Sequence, residues 1–212
     1  MNKTTIISDT HGRHYKLDLP GGDILIHCGD FMNSGLKINE ATSFLKWFSK
    51  QDYKHKVFIA GNHDILFEDH PYVRDSLLLE YPDVTYLQDS SVTIEGLKIY
   101  GSPWQPEFYN WAFNLPRGEE LKKKWDLIPD DIDILITHGP PMDFLDTVVG
   151  QYEPLGCYDL KQRVLNIQPK IHCFGHIHSG YGETDFNGTK FINAAVLDED
   201  YNHTQKPINI EL

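Results

Sequence analysis

The chain has 212 residues, 40% hydrophobic and 24% charged, which is ordinary folded-protein composition and excludes disordered and fibrous classes. Its 19 Lys and Arg stand against 31 Asp and Glu, a net charge of −12, so a long nucleic acid or an anionic membrane is a poor partner. The length suits one domain over residues 1–212, and its 11 histidines are many for that size.

The first residues turn polar before a signal-peptide core forms, and no apolar run reaches membrane-spanning length. Three widely spaced cysteines, Cys28, Cys157 and Cys173, without a CxxC pair, suit a reducing, cytoplasmic setting. Along the chain, short β-branched runs predict strands at 4–8, 23–28, 56–60, 84–87, 92–95, 97–100, 132–137, 171–174, 190–193 and 208–212. Ile38, Ala41, Leu45 and Phe48 step at helical spacing, and shorter helices are predicted at 73–80, 119–125 and 158–165. Asn187-Gly188 predicts a type I′ hairpin. The mixture predicts an α/β (α+β) protein with one mixed sheet, or two, covered by helices.

Five apolar runs end abruptly in polar residues: Asp9-Thr10-His11, Gly29-Asp30, Gly61-Asn62-His63-Asp64, His138-Gly139 and Gly175-His176-Ile177-His178. Ligands gather at the carboxyl ends of buried strands, so these segments predict one shared site. Imidazole, carboxylate and amide oxygen together suit Mn, Fe or Zn. The groups are too many for one tetrahedral zinc and fit two ions sharing a carboxylate. Such a pair clamps both oxygens of a phosphoryl displacement and supplies a hydroxide near neutral pH.

Each residue also has a plain reading. A single strand-end aspartate is usually a turn or cap residue. His27 and His172 lie inside apolar runs and read as core, whereas His55, His70 and His203 read as surface. His14 reads as a substrate contact or as packing. His176 and His178 are stronger, because period-two spacing in an extended segment puts both rings on one side.

Taken jointly and in this order, the five segments resemble the calcineurin-like metallophosphoesterase superfamily. Gly101-Ser102-Pro103-Trp104-Gln105-Pro106, the stretch from Asn110 to Gly118, Thr137-His138-Gly139-Pro140-Pro141, Gly156-Cys157 and Ile177-His178-Ser179-Gly180-Tyr181-Gly182 are similar to its metallophosphoesterase-domain (MPPED) subfamily. The resemblance implies a four-layer αββα sandwich of two mixed sheets flanked by helices. It implies Asp9, His11, Asp30 and His178 around one divalent ion and Asp30, Asn62, His138 and His176 around a second, manganese favoured. It implies His63 as the catalytic residue, facing the scissile phosphate without ligating. The expected activity is hydrolysis of small phosphodiesters, cyclic nucleotides among them, by in-line attack of a bridging hydroxide. A phosphomonoesterase with the same site and a catalytically inactive scaffold are the rival readings.

Trp104, Phe108, Tyr109, Trp111 and Phe113 crowd the segment 102–118, which reads as a hydrophobic cluster under a loop or as a wall that stacks a flat group. Trp104, flanked by prolines, is the expected stacking residue, and Arg13, beside His11, the expected phosphate contact. The site charge also tempers the net −12: two aspartates, two divalent ions and a hydroxide leave it slightly positive. A small phosphoester is then admissible, while a long polyanion is repelled.

Overall fold

The computed structural model describes residues 2–150 and 153–212. The first half runs β1 (Lys3–Ile7), β2 (Gly22–His27), α1 (Ile38–Ser49), β3 (Tyr53–Phe58), α2 (Ile65–Asp69), α3 (Pro71–Leu79), β4 (Val84–Tyr86), β5 (Ser90–Ile94) and β6 (Leu97–Ser102). The second runs β7 (Gln105–Pro106), β8 (Asn114–Leu115), α4 (Glu119–Trp125), β9 (Ile134–Thr137), α5 (Tyr158–Ile167), β10 (Ile171–Phe174), β11 (Gly182–Phe186), β12 (Thr189–Asn193) and β13 (Ile208–Glu211). One sheet has the order β13-β1-β2-β3-β4 and the other β11-β12-β10-β9-β6-β5. Both are mixed. β1, β2, β3 and β4 are parallel with β13 antiparallel at the edge. β6, β9, β10 and β12 are parallel between antiparallel β5 and β11.

The two sheets pack face to face, and the strand sequences show why. Ile6, Ile24, Ile26 and Val57 meet Ile99, Ile134, Ile136 and Ile192 in the layer between the sheets. Their alternate neighbours Ile7, Leu25 and Phe58 face outward under Phe44 and Phe48 of α1. Leu135, Phe174 and Phe191 face outward under Trp125 of α4 and Leu160 of α5. A strand covered on both faces must be apolar at every position, which is why these runs do not alternate. Four layers result, with helices on both outer faces, as the resemblance implied.

The predicted strands correspond to observed ones within a few residues at each end. β3 begins at Tyr53, ahead of its apolar run, where Tyr53 pairs with Gly22 and His55 with Ile24. β11 and α2 lacked a periodic signal, because exposed Glu183 and Asp185 and a helix of five residues carry none. Asn187 and Gly188 have φ of 51° and 87°, as a type I′ turn demands. Among the described residues no helix is long and apolar enough to cross a membrane.

His27 and His172 are fully buried core residues, as read from the sequence. His27 meets the Thr10 hydroxyl at 3.0 Å and His172 the Thr137 hydroxyl at 2.8 Å. Burial pushes both down to about 3, so each is neutral in the folded chain. The unfolded chain binds these protons first, below its ordinary value of 6.5, so stability is lost as pH falls from there towards 3. His172→Phe removes one such group while Thr137 keeps its bond to the Gly139 carbonyl. Urea unfolding between about pH 5.5 and 4 is expected to show the variant gaining about 1 kcal/mol per pH unit relative to the parent chain.

Candidate metal centre and catalytic site

The carboxyl ends of β1, β2, β3, β9 and β10 meet at one rim of the sandwich, and the loops leaving them carry the expected side chains. Backbone contacts hold the two sheets in register there. The His176 N–H donates to both Asp9 carboxylate oxygens at 3.0 and 3.2 Å, and Val196 N–H donates to the Ser8 carbonyl at 3.0 Å. Asp9, His11, Asp30 and His176 all take positive φ, between 41° and 66°. That region is strained for residues with a Cβ and is retained where the surroundings over-determine it. Gly175 and Gly61 close the packing behind the ligands. A Cβ at Gly175 would overlap the Asp9 carboxylate, and one at Gly61 the Asp30 carboxylate.

Donor atoms of Asp9, His11 and His178 all lie within 4.8 Å of one another, as do those of Asp30, His138 and His176. His138 Nε2 lies 2.9 Å from Asn62 Oδ1 and 3.4 Å from Asp30 Oδ1. His11 Nε2 is 3.7 Å from Asp30 and 3.9 Å from Asp9. The seven predicted ligands thus fall into two sets linked by Asp30. His138 Nδ1 donates to the Cys28 carbonyl at 2.9 Å and His178 Nδ1 to the Asp198 carbonyl at 3.0 Å. A carbonyl only accepts, so these bonds fix the ring protons on Nδ1 and aim Nε2 at the carboxylates.

The set fits divalent cations on a direct observation. His11 is buried, and neither of its ring nitrogens has a hydrogen-bond partner. An orphaned imidazole among carboxylates is expected where a cation belongs. Burial pushes His11 and His176 down to about 4, so both present neutral rings. At His138 burial opposes the charge, but Asp30 outweighs it and holds the ring up at about 9. At His178 burial again opposes, and Asp9 holds the ring at about 9. Without metal, protons on these two rings offset the aspartates.

His63 lies beside these sets and is half-buried. Its N–H donates to Asp30 Oδ1 at 2.7 Å, and its Nδ1 donates to the Asn33 carbonyl at 2.9 Å, leaving Nε2 free. Its ring meets His11 edge-on at 4.6 Å. It also falls within 4.8 Å of His11 and Asp30 in a third group of donors. Asp64, the last residue of the Gly61-Asn62-His63-Asp64 segment, clamps this loop. It is fully buried and accepts from Asp30, Met32 and Gly61 N–H at 2.9, 2.8 and 2.7 Å.

A cleft of about 470 Å³ opens over the centre, lined by His11, Asp30, Asn62, His63, His176 and His178. Neither expected substrate contact lines it. The exposed Arg13 guanidinium donates to the Tyr201 carbonyl at 2.6 Å. Trp104 donates to Asp89 at 2.9 Å, is covered by Lys124 at 4.0 Å and packs on Phe113, so it is the hydrophobic-cluster residue of its segment. His14 is packing as well: it is buried against Tyr15 and Trp47. The cleft wall is made instead by Phe108, Tyr109 and Tyr201. Phe108 meets His176 at 5.6 Å, and Tyr201 meets His11 at 4.9 Å and His178 at 5.3 Å. Phe108 and Tyr109 were within the aromatic segment. Tyr201 had no sequence signal, since only tertiary packing brings the polar 198–204 loop to the rim.

The calcineurin-like phosphoesterase family profile matches residues 3–180. The chain is 43% identical to human "Metallophosphoesterase domain-containing protein 1" over 97% of its own length and 69% of that protein. Among solved structures, TT1561 of Thermus thermophilus superposes with a TM-score of 0.68 at 15% identity, covering 99% of this chain and 98% of that one. Phosphopantetheinyl hydrolase of Mycobacterium tuberculosis gives 0.63 at 14% identity, covering 97% and 95%. These two likenesses concern the fold.

Two expectations follow. At pH 7 the metal-free chain holds protons on His138 and His178, and metal binding needs the Nε2 lone pair of each ring. Calorimetric titration with Mn in buffers of different ionisation enthalpy should read about two protons released per chain, fewer as pH rises through 9. Asp64→Ala strands three buried N–H groups and should lower unfolding free energy by at least about 3 kcal/mol in denaturant titration. The profile match over most of the chain and the human relative together settle the family: the chain belongs to the calcineurin-like phosphoesterases and is a metallophosphoesterase.

Proposed function

We propose that the chain is a dinuclear metal-dependent phosphodiesterase acting on small phosphodiesters, cyclic nucleotides among them. The observation that carries this reading is the two donor groups, Asp9-His11-His178 and Asp30-His138-His176, which adjoin where Asp30 lies 3.7 Å from His11, with a free His63 Nε2 beside them on a cleft floor. Asp9, His11, Asp30 and His178 would hold one ion, and Asp30, Asn62, His138 and His176 the other. When bound, the ions supply Lewis-acid charge and a water acidic enough to attack at neutral pH. The mixed donor set suits Mn, Fe or Zn, and manganese is the ion to test first.

The chain's own groups do the rest. Asn33 keeps the His63 proton on Nδ1 and leaves Nε2 to meet the phosphoryl group and exchange a proton with the leaving oxygen. Phe108, Tyr109 and Tyr201 offer flat surfaces to the ester's alcohol. A volume near 470 Å³ suits a nucleotide-sized ligand. The rim carries Glu107 and Glu199, and the rim guanidinium of Arg117 already donates to the Leu155 and Gly156 carbonyls. That charge pattern favours a substrate with one anionic group over a long polyanion.

The Mn-loaded chain should hydrolyse bis-p-nitrophenyl phosphate faster than p-nitrophenyl phosphate. His63→Ala should lower kcat about 10²- to 10⁴-fold for diphenyl phosphate, whose poorer leaving group needs the proton, with metal content unchanged. Asp30→Asn should lose both metal and activity, read by elemental analysis beside the rate. A faster monoester would replace this reading with a phosphomonoesterase. Full metal loading with neither ester hydrolysed would replace it with a scaffold.

A further inference from the structure

We propose that Trp111 is a positioning residue for His63, holding the imidazole so that Nε2 faces the substrate's leaving oxygen. The inference rests on the reading of His63 given under Proposed function. The indole and imidazole stack face to face, with centroids 4.1 Å apart and planes inclined by 22°. The hydrogen bond from Nδ1 to Asn33 fixes one point of the ring but leaves it able to swing about that point. Trp111 closes off that swing on one face, and the His11 edge, at 4.6 Å and 84°, closes it from another direction.

The backbone on either side of Trp111 is docked. Its neighbour Ala112 donates its N–H to the carbonyl of Asn62 at 3.1 Å. Phe113 donates to Glu68 at 2.5 Å, is fully buried, and accepts from Gln105 N–H at 3.0 Å. The segment between β7 and β8 is thus docked on the loop that carries Asn62 and His63. Phe108 and Tyr109 of that segment line the cleft, whereas Trp111 does not. One indole face is taken up by the catalytic ring, which separates its role from substrate stacking.

In the step it serves, water forms a bond to phosphorus and the ester P–O bond breaks. His63 Nε2 takes up the proton lost by the attacking water and passes it to the departing alcohol, so the ring ends as it began. A misplacement of about 1 Å in such a transfer can lower the rate about 10²-fold. The loss should depend on the leaving group. Nitrophenolate departs unaided, whereas phenolate needs the proton.

The test compares the Mn-loaded chain with Trp111→Ala, Trp111→Phe, His63→Ala and the Trp111→Ala/His63→Ala double variant, on bis-p-nitrophenyl phosphate and on diphenyl phosphate. Trp111→Ala should lower kcat for diphenyl phosphate by about 10- to 100-fold and for the nitrophenyl ester by less than about threefold. KM and bound metal should stay unchanged. Trp111→Phe should recover most of the loss, and the double variant should match His63→Ala alone. Equal losses on both esters, a change in KM or metal content alone, or additive losses in the double variant would overturn the inference. If His63→Ala discriminates between the esters and Trp111→Ala does not, only the role of Trp111 falls. If His63→Ala does not discriminate, the reading of His63 falls and carries the inference with it.

Discussion

Asp9 and Asp30 are buried to 0% and 2% exposure, and among the described residues their ion-pair partners are all histidines. Two carboxylates in such a place are untenable unless opposite charge or N–H donors surround them. The chain supplies both. The N–H groups of His176 and His63 donate to them, and the rings of His138 and His178 close on them. Burial and Asp9, Asp30 act in opposite senses on these two rings, and the aspartates win. A metal-free chain therefore carries protons where a cation would carry charge. Binding metal exchanges one form of compensation for the other, and the fold need not be rebuilt.

The same demand explains the backbone. N–H groups can be turned toward a carboxylate only where the chain leaves the extended conformation at once. Asp9, His11, Asp30 and His176 do so with left-handed φ, each at a penalty of about 1–3 kcal/mol. The layer of isoleucines between the sheets is what can sustain this, because it fixes the strand ends to which the strained loops are attached. Glu40 of α1 adds a brace from outside the rim. Its carboxylate accepts from Asn33 and Ser34 N–H at 2.9 Å, steadying the carbonyl that holds His63. Asp64 performs the matching task for the backbone of Asp30 and Gly61.

This division between strand and loop also explains what could be read before the structure. Ile6-Ile7-Ser8 ending in Asp9 is legible because burial on both faces forces apolarity and its abrupt end marks the rim. The order of the five ligand segments added the pairing of the sheets, which no local pattern encodes. Trp104 was misjudged because its flanking prolines speak to rigidity and say nothing about direction. It faces Asp89 and Lys124 instead of the cleft. Arg13 was misjudged because the carbonyl that captures it belongs to Tyr201, 188 residues away. Tyr201 itself was invisible for the same reason. Local chemistry announces a ligand, whereas the surface that a substrate touches is assembled from loops distant in sequence.

An acidic surface is compatible with a centre that metal ions would make cationic, once distance is considered. Surface carboxylates are screened over about 8 Å at physiological salt, so those across the molecule contribute little at the cleft. Glu107 and Glu199, by contrast, line it and act within that range. Arg117, which also lines the cleft, points two of its N–H groups at the Leu155 and Gly156 carbonyls, and Arg13 points one at the Tyr201 carbonyl. A second phosphate held at the level of Glu107 or Glu199 would meet like charge. On the proposed phosphodiesterase reading, the charge pattern would select by the number and spacing of anionic groups, and the aromatic wall by the shape of the alcohol.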